Sequence, residues 1–147
     1  MEERKLKMVC IHEAAHAVAF VRLLSCTPLK VSIEESILSN GFTDVLWERK
    51  PENAVKLFAC CFAGPVAHAL VGGEPNISGD MACMVSMAGK MNFSDEEFAE
   101  YLGDGFERAS LFVRENLPEI ERVARKLFAE ITLTGEQVLA EIDGSNL

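Results

Sequence analysis

The most constraining stretch of this sequence is its first helix-length segment, about Glu3 to Ser25, which is apolar nearly all round yet carries His12, Glu13 and His16 in its middle. A helix lying on a surface shows one apolar stripe, whereas one that is apolar on every side is enclosed by protein. Ionisable groups in such a helix need partners. The rest of the chain must therefore wrap this segment and give the three polar side chains something to bind. With 147 residues, 49 % apolar and 25 % charged, residues 1–147 suit one domain with one real core, and disordered or collagen-like classes are excluded. The 23 acidic residues against 14 basic ones, a formal charge of −9, have the wrong sign for gripping a phosphate backbone, so nucleic acid is not an expected partner.

The remaining punctuation predicts mostly helices. Pro28 stops the first helix, and Leu29 to Glu34 alternates apolar and polar with period two. Asn40-Gly41 then signals a tight turn before Phe42 to Glu48, which predicts a short hairpin. Helix returns from Pro51 to Val71, with Gly64-Pro65 expected to kink or interrupt it, and Gly72-Gly73 ends it. A third helix is expected from Ser78–Asp80 to before Asn92. Ser94 with Glu97 forms a capping box that opens a fourth, weakened by Gly103 and Gly105; Pro118 starts a fifth, and Thr134 with Gln137 caps a short last one. No repeat or linker divides the chain. The fold class expected is mainly α (α+β), with a small sheet of two or three strands.

His12-Glu13-Ala14-Ala15-His16 is an HExxH pattern, which puts two imidazoles one helical turn apart on the same face, where both can reach one ion. The donor type and spacing suit zinc, with a third protein ligand and an open position for water. Glu13 would then be the general base that takes the water's proton and returns it to a leaving amine. The longer signature HExxHxxGxxH is absent, because Ala19 and Arg22 stand where glycine and histidine are required. Spacing leaves the third ligand open among Glu34, Glu35 and Asp80. The first two lie on or just after a strand, and Asp80 at a predicted helix start has a helix cap as its ordinary use.

Several further segments share one resemblance with the motif. They are His12-Glu-Ala-Ala-His-Ala-Val18, Pro28-Leu-Lys-Val-Ser-Ile33, Ala63-Gly64 with Val66-Ala67 and Leu70-Val71-Gly72, Ile77-Ser-Gly-Asp80, Ile120-Glu-Arg-Val-Ala124, and Leu133-Thr-Gly-Glu-Gln-Val138. In that order they resemble the peptidase domain of the FtsH-type, membrane-anchored AAA+ zinc proteases. The resemblance implies a zincin-like helical fold, Zn2+ held by His12, His16 and Asp80, and Glu13 as the catalytic carboxylate. It also implies that the Lys30 to Ile33 strand flanks the cleft and pairs with extended substrate. That family's ATPase module and membrane anchor find no counterpart in these residues, so the expected function is an ATP-independent metallopeptidase acting on unfolded or flexible polypeptide. The competing readings are a non-enzymatic zinc-containing interaction domain and a zinc hydrolase of small amides. Two departures bear on the cleft. His68 stands where the family usually has a carboxylate, either orienting or ligating a metal or merely facing solvent, and Pro65 replaces a usual basic residue.

Cys10, Cys26, Cys60, Cys61 and Cys83 form an odd set without CxxC spacing, which predicts reduced, mostly buried thiols. Met81, Met84, Met87 and Met91 at helical spacing predict core or an oligomer contact, and Asp95 to Glu97 with Glu100 a solvated first turn. The charged start before an apolar run superficially suits a leader peptide, but His12, Glu13, His16 and Arg22 interrupt it. The expectation is a soluble, cytoplasmic protein without membrane insertion. Its partner is a polypeptide substrate, with a second copy or a separate ATPase or adaptor as further possibilities.

Overall fold

In a computed structural model that describes residues 2–34 and 51–144, the chain is mainly helical with one small sheet. Six helices, α1 (Glu3–Leu24), α2 (Pro51–Leu70), α3 (Ser78–Lys90), α4 (Asp95–Glu115), α5 (Leu117–Glu130) and α6 (Gly135–Asp143), account for most of it, with strands β1 (Lys30–Ser32) and β2 (Thr132–Thr134). The wrapping demanded by α1 is met chiefly by α2 and α5, which both pack along it, while α4 packs on α2. Small residues are buried all round α1, Ala14, Ala15, Ala17 and Ala19 fully so, and α2 likewise buries Ala59, Cys60, Ala63 and Ala67. Small residues on both sides let the two backbones approach closely. Larger groups, Phe20, Leu57, Phe58, Ile120 and Leu127, are buried in the core from α1, α2 and α5.

Helix ends follow the sequence closely. Ser94 and Glu97 make the expected reciprocal capping box at α4, and Thr134 with Gln137 does the same at α6. One expectation is corrected: Gly64-Pro65 does not interrupt α2, which runs through it to Leu70. Among the described residues β1 pairs with β2, antiparallel with Val31 opposite Leu133 and both fully buried, a partner that no sequence signal indicates. The Asn40-Gly41 turn, Phe42 to Glu48 and Glu35 lie outside the described residues.

Segment Glu52–Leu70 is by length and composition able to cross a bilayer, and 61 % of that window is buried inside the domain as its central helix. The methionine stripe is largely core: Met84 is fully buried, and Met81 and Met87 pack against it. All five cysteines are free thiols; Cys10, Cys60 and Cys61 are buried.

Candidate metal centre

The mid-helix position of His12 and His16 on α1 turns both rings toward the start of α3. There Asp80 occupies the first turn, where the helix dipole favours an anion. Asp80 does not cap its helix; the Asn76 side chain accepts from the Ser78 backbone N–H at 3.0 Å, which leaves the aspartate free to face inward. His12 Nε2 lies 3.2 Å from Asp80 Oδ2, and His16 Nε2 lies 3.2 Å from Asp80 Oδ1. One donor atom from each residue falls within 4.8 Å of the others, so the three can share one ion.

Each imidazole is held from its far nitrogen. His16, fully buried, donates Nδ1–H to the Cys60 carbonyl at 2.8 Å, in the α2 turn just before Pro65. That leaves Nε2 facing the cluster. Although Asp80 is close, His16 Nε2 has no hydrogen-bond partner among the described residues. The close neighbour of that nitrogen is the Asp80 carboxylate, and two imidazoles with a carboxylate are a donor set that zinc accepts. The residues present fit the metal. His12 meets His68 of α2, with the two Nδ1 atoms 3.4 Å apart and the rings edge to face at 5.6 Å between centroids.

The charges are coupled. Burial pushes the Asp80 carboxyl up, but His12 and His16 outweigh it and hold it well below the usual carboxylate range. For His16 burial works downward and is outweighed by Asp80, so its pKa is raised; Glu13 adds to the rise. His68 is lowered, by burial first and by His12 second. Glu13, half-buried between the two histidines in sequence, is close enough for its charge to act on both His16 and Cys10.

Of the third-ligand candidates, Asp80 meets the histidines, whereas Glu34 is exposed beyond β1. Arg22, which stands where the longer motif wants a histidine, instead ties α1 to α5 through a two-point pair with Glu119, at 2.7 and 3.1 Å. His68 is half-buried, with its Nδ1 turned to His12. Sequence reasoning missed Gly64. A Cβ there would overlap the His16 ring and lie 2.7 Å from His12 Cδ2, so only glycine lets α2 pass beneath both imidazoles. Beside Pro65 it suggests a kink or interruption in sequence, and the run of small apolar residues from Ala59 to Ala67 is the available hint of a close helix seam.

No model of a known protein family matches the chain. The sequence is similar to the ATP-dependent zinc metalloprotease FtsH of Synechococcus sp. (strain JA-2-3B'a(2-13)), 25 % identical over 197 aligned residues that take in all of this chain and 31 % of the relative. The chain thus spans less than a third of that protein's length. The likeness, together with a possible metal site of two histidines and an aspartate, points to a distant relation to the FtsH family.

Proposed function

We propose that residues 1–147 act as one zinc metalloendopeptidase unit that hydrolyses peptide bonds in unfolded or flexible polypeptide, without ATP of its own. The observation that carries this reading is the convergence of His12, His16 and Asp80, with donor atoms within 4.8 Å of one another and His16 fully buried. The similarity to a zinc metalloprotease supports it. His12 and His16 would hold the ion through Nε2 and Asp80 through its carboxylate. Zinc supplies Lewis-acid polarisation of a carbonyl and activation of water when bound. Glu13 takes the proton of the attacking water on its carboxylate and delivers it to the leaving amine nitrogen, the step for which a base beside the metal is required. The low pKa of Asp80 keeps it anionic as a ligand at neutral pH.

The test is a purified protein assayed for metal and for cleavage of an unstructured protein such as a casein. About one zinc per chain and casein cleavage are expected; Glu13→Gln should keep the zinc and lose about 10²- to 10⁴-fold in rate. Zinc retained with no cleavage of any unfolded substrate would replace this reading by the interaction-domain one, and hydrolysis confined to small amides by the amidase one. Asp80→Ala with full zinc occupancy would remove Asp80 as third ligand.

A further inference from the structure

The two histidines of the cluster are held differently. His16 is fixed by a backbone carbonyl, which can only accept, so its Nδ1 carries a proton and its Nε2 lone pair is presented. His12 has an imidazole in the corresponding place, and an imidazole nitrogen accepts only when its proton sits on the other nitrogen. The seat of that imidazole is built. His68 lies one turn beyond Gly64 on α2, on the face that α1 approaches. Gly73 folds back under it, its N–H bonded to the His68 carbonyl at 3.0 Å. A Cβ on Gly73 would run into the His68 ring and come within 2.9 Å of Met8 Sδ. Gly72, at φ +88°, supplies the left-handed turn that brings Gly73 there. The chain thus uses two adjacent glycines, one for the turn and one for clearance, to lay the loop against His68.

We propose that His68 is the positioning residue of His12: its Nδ1 lone pair accepts the His12 Nδ1–H, which turns an unprotonated His12 Nε2 toward Asp80 and His16. The inference rests on the metal reading above. His68 is not itself a ligand, since its Nδ1 is spent on His12 and the donor group closes without it. At 3.4 Å the contact is long for an N–H···N bond, so its orientation, rather than its strength, is what His12 gains. Partners on the far nitrogen of a ligating histidine fix its tautomer and ring angle, and their loss weakens metal affinity by about 10- to 100-fold.

Zinc affinity by chelator competition, read on the wild type, His68→Leu and His68→Asn, tests this, with thermal melts of the metal-free proteins as the folding control. His68→Leu keeps bulk and removes the acceptor, so its affinity should fall about 10- to 100-fold. Asn carries an oxygen where His68 has Nδ1, and His68→Asn should restore affinity to within about three-fold of the wild type. A folded His68→Leu protein that binds zinc as tightly as the wild type overturns the inference and leaves the proposed function standing. A wild type that takes up no zinc overturns the proposed function and this inference with it. The chain has only 3 histidines, so ¹⁵N-histidine labelling gives a second readout that needs no variant. The zinc-loaded wild type should show a scalar coupling from His12 Nδ1 to His68 Nδ1 and an unprotonated His68 Nδ1. A His68 proton on Nδ1 overturns the inference even if His68→Leu fails to fold.

Discussion

In the metal-free protein His16 and Asp80 hold each other's charge, and the direction of each shift fixes how that contact answers to pH. A carboxyl with a depressed pKa contributes stability above its unfolded value and loses it as pH falls through the folded one. A raised imidazole contributes below its unfolded value and loses it as pH rises through the folded one. With unfolded values of about 3.9 and 6.5, the pair contributes in full only between them. Melts of chelator-treated protein across the pH range should therefore show this contact's stabilisation greatest from about pH 4 to 6.5. Asp80→Asn should flatten that profile. An alkaline limb as flat in the wild type as in Asp80→Asn would contradict the pairing. Zinc competes with the proton for the same nitrogen, so loading should extend stability to higher pH. The residues of this contact were unequally legible. His12, Glu13 and His16 announce themselves by a spacing of one helical turn, which is a local property. Asp80 lies 64 residues beyond His16 and spacing could not select it over Glu34 or Glu35; only the resemblance did. The Cys60 carbonyl and the clearance at Gly64 exist only once α2 is laid on α1, and no local pattern encodes that.

At the scale of elements, the two glycines of α4 look alike in sequence and stand in opposite environments. Gly105 is buried against α2, where a Cβ would sit 2.7 Å from Phe58 Cβ and 3.2 Å from the Ala59 nitrogen. Gly103 is exposed, with nothing within 4 Å of the same construction. Gly103→Ala should therefore stabilise by about 0.5–1 kcal/mol, the ordinary helix preference of alanine. Gly105→Ala should destabilise by about 1–3 kcal/mol, because α4 must back away from α2. Urea denaturation of the two variants gives the sign directly; a stabilising Gly105→Ala would mean that the α2–α4 seam yields easily. The same contrast explains what the sequence could and could not tell about elements. Caps at Ser94 and Thr134 are satisfied within four residues, so they are readable. β2 has three residues and is defined by pairing with β1 about a hundred positions away, too short for a period and too distant for a turn signal. Pro65 suggests a kink or interruption because propensity counts the lost N–H and ignores the packing of α2 on both α1 and α4, which holds the helix together.

Across the whole molecule, the proposed metal ligands come from two parts that differ in how firmly they are fixed. His12 and His16 stand on α1, clasped between α2 and α5. Asp80 stands on α3, which packs chiefly on α2, with Met84 and Ala88 as its buried apolar residues and Val85 left exposed. The connection before it, from Val71 to Ile77, carries Glu74, Asn76 and Ile77 on the surface. A bound ion would thus fasten a lightly held helix to a heavily packed one. Since ligands stabilise only the states that bind them, removing the metal should be felt where the fastening is, as local opening rather than general loosening. Hydrogen exchange followed by mass spectrometry, with and without chelator, should show faster exchange over Leu70 to Lys90. The buried stretches of α1, α2, α4 and α5 should keep their protection. Glu13→Gln, which leaves the three ligands in place, should give the same pair of patterns as the wild type. If instead chelation speeds exchange uniformly through α1 and α5, then the ion holds the core itself, and Asp80 cannot be described as the movable side of the site.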